Sequence, residues 1–230
     1  MFKKKPQSLR LTLRVLAHLL SYPGAELRVH MPQLAEALQA EQALKPERLA
    51  ELDALCRQLA ASDPMEAESR YVETFDRGRS TSLHLFEHVH GDSRDRGPAL
   101  IDLMQTYERA GLQFNAPELP DHLSAVLEFA STQPPEVACG FLAEMAHILT
   151  KLFSALVGRS SPYASVIGAI LEISGQPAQA VPVVEEPEVD DAWDEPVAFD
   201  GCSTRGQAKP DQQQPLHFVR NTRVPEGAPQ

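Results

Sequence analysis

Apolar residues recur at helical spacing through the first three quarters of the chain. Leu9, Leu13, Leu16 and Leu20 step by four, three and four, so they share one face of a helix that stops at the turn cluster Ser21-Tyr22-Pro23-Gly24. Met31, Leu34 and Leu38 mark a second helix, and Leu49, Leu52, Leu55 and Leu59 a third, with Pro46 near its first turn. Asp63-Pro64-Met65-Glu66 has the form of a helix start: an acid at the N-cap, proline at the first position and glutamate at the third. Met65, Val72 and Phe75 then predict its inward face, and Leu85, Phe86 and Val89 resume the pattern after a break near Gly78. Gly91 is a helix stop, with Asp92 or Ser93 as a new cap.

Leu100, Leu103, Met104 and Tyr107 line the next helix, which ends at Gly111. A helix opened by Glu118-Leu119-Pro120-Asp121-His122 follows, with Pro120 and Asp121 in its first turn, and Pro134-Pro135 ends it. Phe141, Met145, Ile148, Leu152 and Leu156 predict the longest helix, ended by Gly158. Ser161-Pro162 opens a last one through Val166, Ile167 and Ile170, ended by Gly175. No strand-like alternation competes. The expected fold is all-α: one bundle-like domain over 1–174 with eight or nine helices. From 175 to 230 the composition changes. Residues 181–200 hold eight acids and no lysine or arginine, and prolines punctuate the rest. Such a segment cannot offset the entropy of ordering, so a disordered acidic tail is expected, with Trp193 and Leu216–Arg220 as its sticky spots.

Charge and cysteine content narrow the class. A net charge of −11 lacks the basic footprint of a nucleic-acid-binding protein and suits a partner that carries basic residues. Cys56, Cys139 and Cys202 are odd in number and far apart, as in a reduced, cytoplasmic protein. Arg10 and Arg14 interrupt the N-terminal apolar run, which predicts an amphipathic helix rather than a signal peptide. No apolar run reaches transmembrane length, so no direct membrane insertion is expected.

The densest stretch is Ser82–Gly97, SLHLFEHVHGDSRDRG. Its His84-x-x-Glu87-His88 string has the order found in one class of zinc hydrolases, with His84 and His88 on one helix face and Glu87 as a general base. Glu144 is the candidate third ligand. Five-residue strings of common types arise by chance, and imidazoles that bond to neighbouring backbone explain the histidines as well. Arg94 and Arg96 either clamp an anion or pair with Asp92, Asp95 or Glu87. Asp121 beside His122 lacks a nucleophile with local support, and Cys56 and Cys139 fit apolar packing positions. The residues give no catalytic set, no resident cofactor and no metal site, and favour a binding protein over an enzyme. A metal-dependent hydrolase or a helical scaffold for another client is the alternative.

The run Tyr71-Val72-Glu73-Thr74-Phe75-Asp76, followed by Ser82–Gly97, resembles the delta-subunit chaperones of respiratory nitrate reductase, the NarJ type. Leu19-Leu20-Ser21-Tyr22-Pro23, Glu118–Leu123, Leu127-Glu128-Phe129 and Trp193-Asp194-Glu195-Pro196-Val197 extend the likeness over nearly the whole chain. The resemblance implies a cytoplasmic, non-catalytic chaperone. Its partner is the apo nitrate reductase alpha subunit, bound through its N-terminal segment and folded body during molybdenum cofactor insertion and complex assembly. The cofactor-insertion machinery is a further implied partner. The wider group of molybdoenzyme chaperones has an acidic-proline-Asp-His stretch near its leader-peptide site, which Asp121 and His122 match. Two positions depart from the pattern. An aromatic is usual where His84 stands, which makes the H-x-x-E-H string accidental. Pro98 moves the expected helix start to Asp95–Gly97 and leaves Arg94 and Arg96 in the connecting loop. The expected client-peptide groove has Phe86, His88, His90, Arg94 and Arg96 on one side and Tyr22, Asp121 and His122 on another.

Overall fold

The computed structural model describes residues 8–91, 93–115 and 118–182. Eleven α-helices and a 3-10 turn at Arg79–Thr81 form there, and no strand. The helices are α1 (Arg10–Leu19), α2 (Ala25–Val29), α3 (Met31–Glu41), α4 (Pro46–Ala61), α5 (Pro64–Phe75) and α6 (Glu87–His90), then α7 (Arg96–Arg109), α8 (Leu123–Ser131), α9 (Pro135–Glu144), α10 (Ala146–Gly158) and α11 (Ala164–Ile173). α1 lies against α8, α3 and α11, while α11 also packs on α4, α9 and α10. Burial follows the sequence: Leu13, Leu16 and Leu20 are closed off from solvent, together with Leu123 and Leu127 of α8. Each such leucine contributes roughly 2 kcal/mol of hydrophobic stabilisation. α11 is apolar on every side, and Val166, Ile167, Ala169, Ile170 and Leu171 are all fully buried, as expected of a central helix.

The helices outnumber the expected eight or nine for two reasons. The short α2 carries no buried residue and so no apolar stripe. The stretch expected as one helix through Phe141 and Leu156 is two, because α9 ends at Glu144 and α10 begins at Ala146, with a 70° bend between them. No proline or glycine stands at Met145 to announce the break.

Local capping behaves as predicted at α5. The Asp63 carboxylate accepts from the Met65 N–H (3.0 Å) and the Glu66 N–H (3.2 Å), and Pro64 takes the first turn. The inward face needs correction: Ala67, Tyr71 and Phe75 are buried, whereas Met65 is 79% exposed and Val72 37%. The helix start expected at Pro120 and Asp121 also moves, since α8 begins at Leu123 with His122 as its N-cap. α7 starts at Arg96, which therefore stands in the helix and not in the preceding loop. The chain beyond α11 stays against the domain as far as it is described. Ala178 packs on the core, and the Val181 N–H donates to Ser154 Oγ (2.9 Å). The expected tail from 183 onward, with Trp193 and Leu216–Arg220, lies outside the described residues. Among the described residues no single helix is long and apolar enough to cross a membrane.

Ser8 Oγ accepts from the Arg10 N–H (3.2 Å) at the start of α1, but Leu9 at the N-cap has no acceptor for the N–H groups that follow. Glu41, at the end of α3, supplies it from 30 residues away. Its carboxylate accepts from the Leu11 N–H (3.2 Å) and the Thr12 N–H (2.6 Å). Burial pushes the Glu41 carboxyl up, but hydrogen bonds from Ser8, Thr12 and Leu11 outweigh it and hold it below the ordinary value. A group lowered in this way contributes stability above its unfolded value, about 4.3, and loses it as the pH falls through the folded one. Glu41→Ala is expected to cost about 1 kcal/mol at pH 7 in urea unfolding, with the gap to the parent closing below about pH 4. Equal stability at pH 7 would show that this cap contributes nothing.

Candidate functional site

A cleft of about 720 Å³ opens where the turn after α1, the C-terminal half of α5, the Ser82–His84 segment and the start of α8 meet. Tyr71 and Phe75 reach it from α5, with ring centroids 4.9 Å apart, and Tyr163 packs behind them at 4.9 Å from Phe75. The Tyr71 hydroxyl donates to the Leu20 carbonyl (2.8 Å), which ties α5 to the end of α1. Burial pushes that hydroxyl far above the ordinary tyrosine value, so it stays a proton donor. Tyr22 stands at the rim, 51% exposed, its ring 5.7 Å from Tyr71 and its hydroxyl donating to Glu68 (2.9 Å). The walls are acidic: Asp76, Glu87, Glu118 and Glu128 face one arginine, Arg79.

One wall is built from two chain segments joined by backbone. The Leu85 N–H donates to the Asp121 carbonyl (3.1 Å), and the Leu123 N–H to the Leu83 carbonyl (2.9 Å), forming an isolated antiparallel bridge between His84 and His122. Asp121 locks the joint from behind. Its side chain has no exposed surface, Oδ2 accepts from the Phe86 N–H (3.0 Å), Oδ1 lies 3.4 Å from His84 Nδ1, and the Arg96 guanidinium stands 3.9 Å away. Burial pushes the Asp121 carboxyl up, but its bonds with His84 and Phe86, helped by the Arg96 charge, bring it below the usual value. The hydrogen bond to Asp121 raises His84. Burial lowers His122, assisted by the charge of His84. The His122 ring caps α8, with Nδ1 2.7 Å from Ser124 Oγ and 3.4 Å from the Ser124 N–H.

Of the groove residues expected from sequence, the cleft gathers Tyr22 and His122. Asp121 sits behind it with no surface to offer, as an anchor for His84, Phe86 and Arg96. Phe86, His88, His90, Arg94 and Arg96 do not line it. Phe86 packs on the core and against the His90 ring at 5.8 Å; His88 Nε2 donates to the Ser82 carbonyl (2.8 Å); Arg94 is exposed. His84, set aside as departing from the pattern, and Glu118 both line the wall. Sequence reasoning did not place Tyr71, Phe75, Asp76 or Glu128 in the groove, although Tyr71 at four residues from both Ala67 and Phe75 carries a readable helical signal.

The H-x-x-E-H string does not converge. His88 is bonded to backbone and Glu87 accepts from Ser82 Oγ (2.5 Å). Among the described residues the donors that do cluster are His84, Glu118 and His122, without His88 or Glu144.

Comparisons with known proteins agree with this architecture. NarJ of Escherichia coli (strain K12), the nitrate reductase molybdenum cofactor assembly chaperone, is 40% identical over 197 residues, covering 86% of this chain and 84% of that protein. The probable nitrate reductase molybdenum cofactor assembly chaperone NarJ of Bacillus subtilis (strain 168) is 30% identical over 164 residues, 70% of this chain and 87% of that protein. A crystal structure described as a redox enzyme maturation protein from Archaeoglobus fulgidus shares the fold, with a TM-score of 0.52 at 18% identity over 76% of this chain and 98% of that one. The profile of the nitrate reductase delta subunit matches residues 23–166, a span that holds most of the cleft, and the chain belongs to that family.

Proposed function

We propose that this protein is a cytoplasmic, non-catalytic assembly chaperone of nitrate reductase, acting on the apo catalytic subunit while its molybdenum cofactor is inserted. The cleft between α5 and α8 receives a basic, amphipathic segment from the N-terminal part of that subunit. Family membership supports the chaperone role. The observation that carries the peptide reading is the cleft itself: an aromatic floor of Tyr71 and Phe75 beneath four carboxylates. An apolar anchor fits the floor, and the carboxylates favour lysine or arginine beside it. Tyr22 and His122 contact the segment, while Asp121 and Arg96 hold the wall from behind.

The test is a calorimetric titration of the full chain with a synthetic peptide of the alpha subunit's N-terminal segment. Glu118→Lys combined with Glu128→Lys reverses two rim charges. This double variant is expected to weaken binding roughly tenfold or more, with the affinity of the parent falling as salt is raised. Its melting temperature is expected to stay within about 2 °C of the parent, as surface substitutions usually do. Unchanged affinity in this variant would remove the cleft from the reading.

A further inference from the structure

We propose that the wall of the cleft holds a divalent transition-metal site made by His84, Glu118 and His122, with zinc as the natural occupant. One donor atom from each of the three lies within 4.8 Å of the other two. Two imidazoles and a carboxylate are the donor set of open zinc centres and of other borderline first-row ions, and they are poor hosts for calcium or magnesium.

The two histidines are held as ligands are held. Their backbones are fixed by the bridge that joins the two segments, so the rings stand 5.1 Å apart at 70° to one another. His84 Nδ1 faces the buried Asp121 carboxylate, the carboxylate–histidine pairing that orients a metal ligand and leaves Nε2 as the donor. His122 Nδ1 lies 2.7 Å from Ser124 Oγ and 3.4 Å from the Ser124 N–H; zinc at Nε2 displaces the proton there, and the Nδ1 tautomer then donates to Ser124 Oγ in place of the long contact that caps α8. Glu118 is exposed, on the segment leading to α8, and its carboxylate supplies the third donor of the cluster. Three protein donors leave a fourth position open to water or to a donor on a bound peptide. The donors come from two separate segments of the chain, which is why no local motif announces them.

The probe is zinc itself. Full-length protein made without a histidine tag and stripped with chelator is titrated with zinc chloride by calorimetry, and cobalt absorption is recorded in parallel to report imidazole ligation. One saturable site per chain is expected, with a melting temperature that rises as zinc is added. Glu118→Gln is expected to weaken binding roughly tenfold or more, and His84→Leu at least as much. His88→Ala is expected to leave it unchanged. Glu118 is exposed, so its variant folds and decides the matter even where a histidine variant does not. No saturable site in the parent, or a site whose affinity survives Glu118→Gln and His84→Leu, overturns the proposal. No peptide is present in this titration, so its outcome is separate from that of the client-binding test.

Discussion

Asp121→Ala is expected to destabilise the domain by about 3 kcal/mol, within the range for breaking one partner of a buried charged network. The carboxylate is enclosed and serves three groups at once. Its loss strips the Phe86 N–H of its acceptor, frees His84, and removes the anion nearest Arg96, whose Nε is already buried without a partner. For a domain of this size the melting temperature should fall by about 6–12 °C. Asp121→Asn keeps an acceptor for Phe86 and loses only the charge, so it should lie between alanine and the parent. Urea unfolding of the three proteins checks the order. A melting point for Asp121→Ala within about 2 °C of the parent would show that the backbone bridge holds the wall without it. The outcome also separates two roles of one sequence stretch. Asp121 is enclosed and bonded to the wall, whereas Glu118, three residues earlier, is exposed and lines the cleft.

The pattern of the sequence announced what is local and apolar. The leucine stripe of α1, the Asp63 cap and the stops at Gly91, Gly111 and Gly175 need only neighbours in the chain, and all three glycines have positive φ. The expected face of α5 held at Phe75 and failed at Met65 and Val72, which were counted as inward. Tyr71 was not counted, although it buries its ring and sends its hydroxyl to a carbonyl of α1. Asp121 was placed in a helical first turn because proline and an acid favour that position. Pairing with Leu83–Leu85 instead holds the segment extended, an interaction across more than thirty residues that no local rule carries. The same holds for Glu41, whose cap on α1 spans 29 and 30 residues. The site is the least legible part, because its floor comes from α5 and its wall from two further segments. The family resemblance rested on the stretches Tyr71–Asp76, Ser82–Gly97 and Glu118–Leu123, each of which contributes residues to the lining of the cleft. It could not say which side chains face the cleft and which hold it from behind.

Tyr71→Ala is expected to cost about 4 kcal/mol, and Tyr71→Phe about 1 kcal/mol. The ring meets three others: Tyr22 at 5.7 Å, Phe75 at 4.9 Å and Tyr163 at 6.1 Å. Alanine removes the centre of this cluster and opens a void between α5, the end of α1 and the residue before α11. Phenylalanine keeps the packing and loses only the hydrogen bond to the Leu20 carbonyl. The hydroxyl stays protonated well past neutrality because burial raises it, so the difference between parent and Tyr71→Phe should not change from pH 5 to pH 9. Binding distinguishes the two variants further. With an intact aromatic floor, Tyr71→Phe should titrate the client peptide as the parent does. Tyr71→Ala, measured at a temperature where it is still folded, should bind at least roughly tenfold more weakly, because the apolar anchor loses its seat. Equal stability losses in the two variants would place the hydroxyl, and not the ring, at the centre of the cluster. Equal peptide affinity in folded Tyr71→Ala would show that the peptide rests on the acidic rim alone.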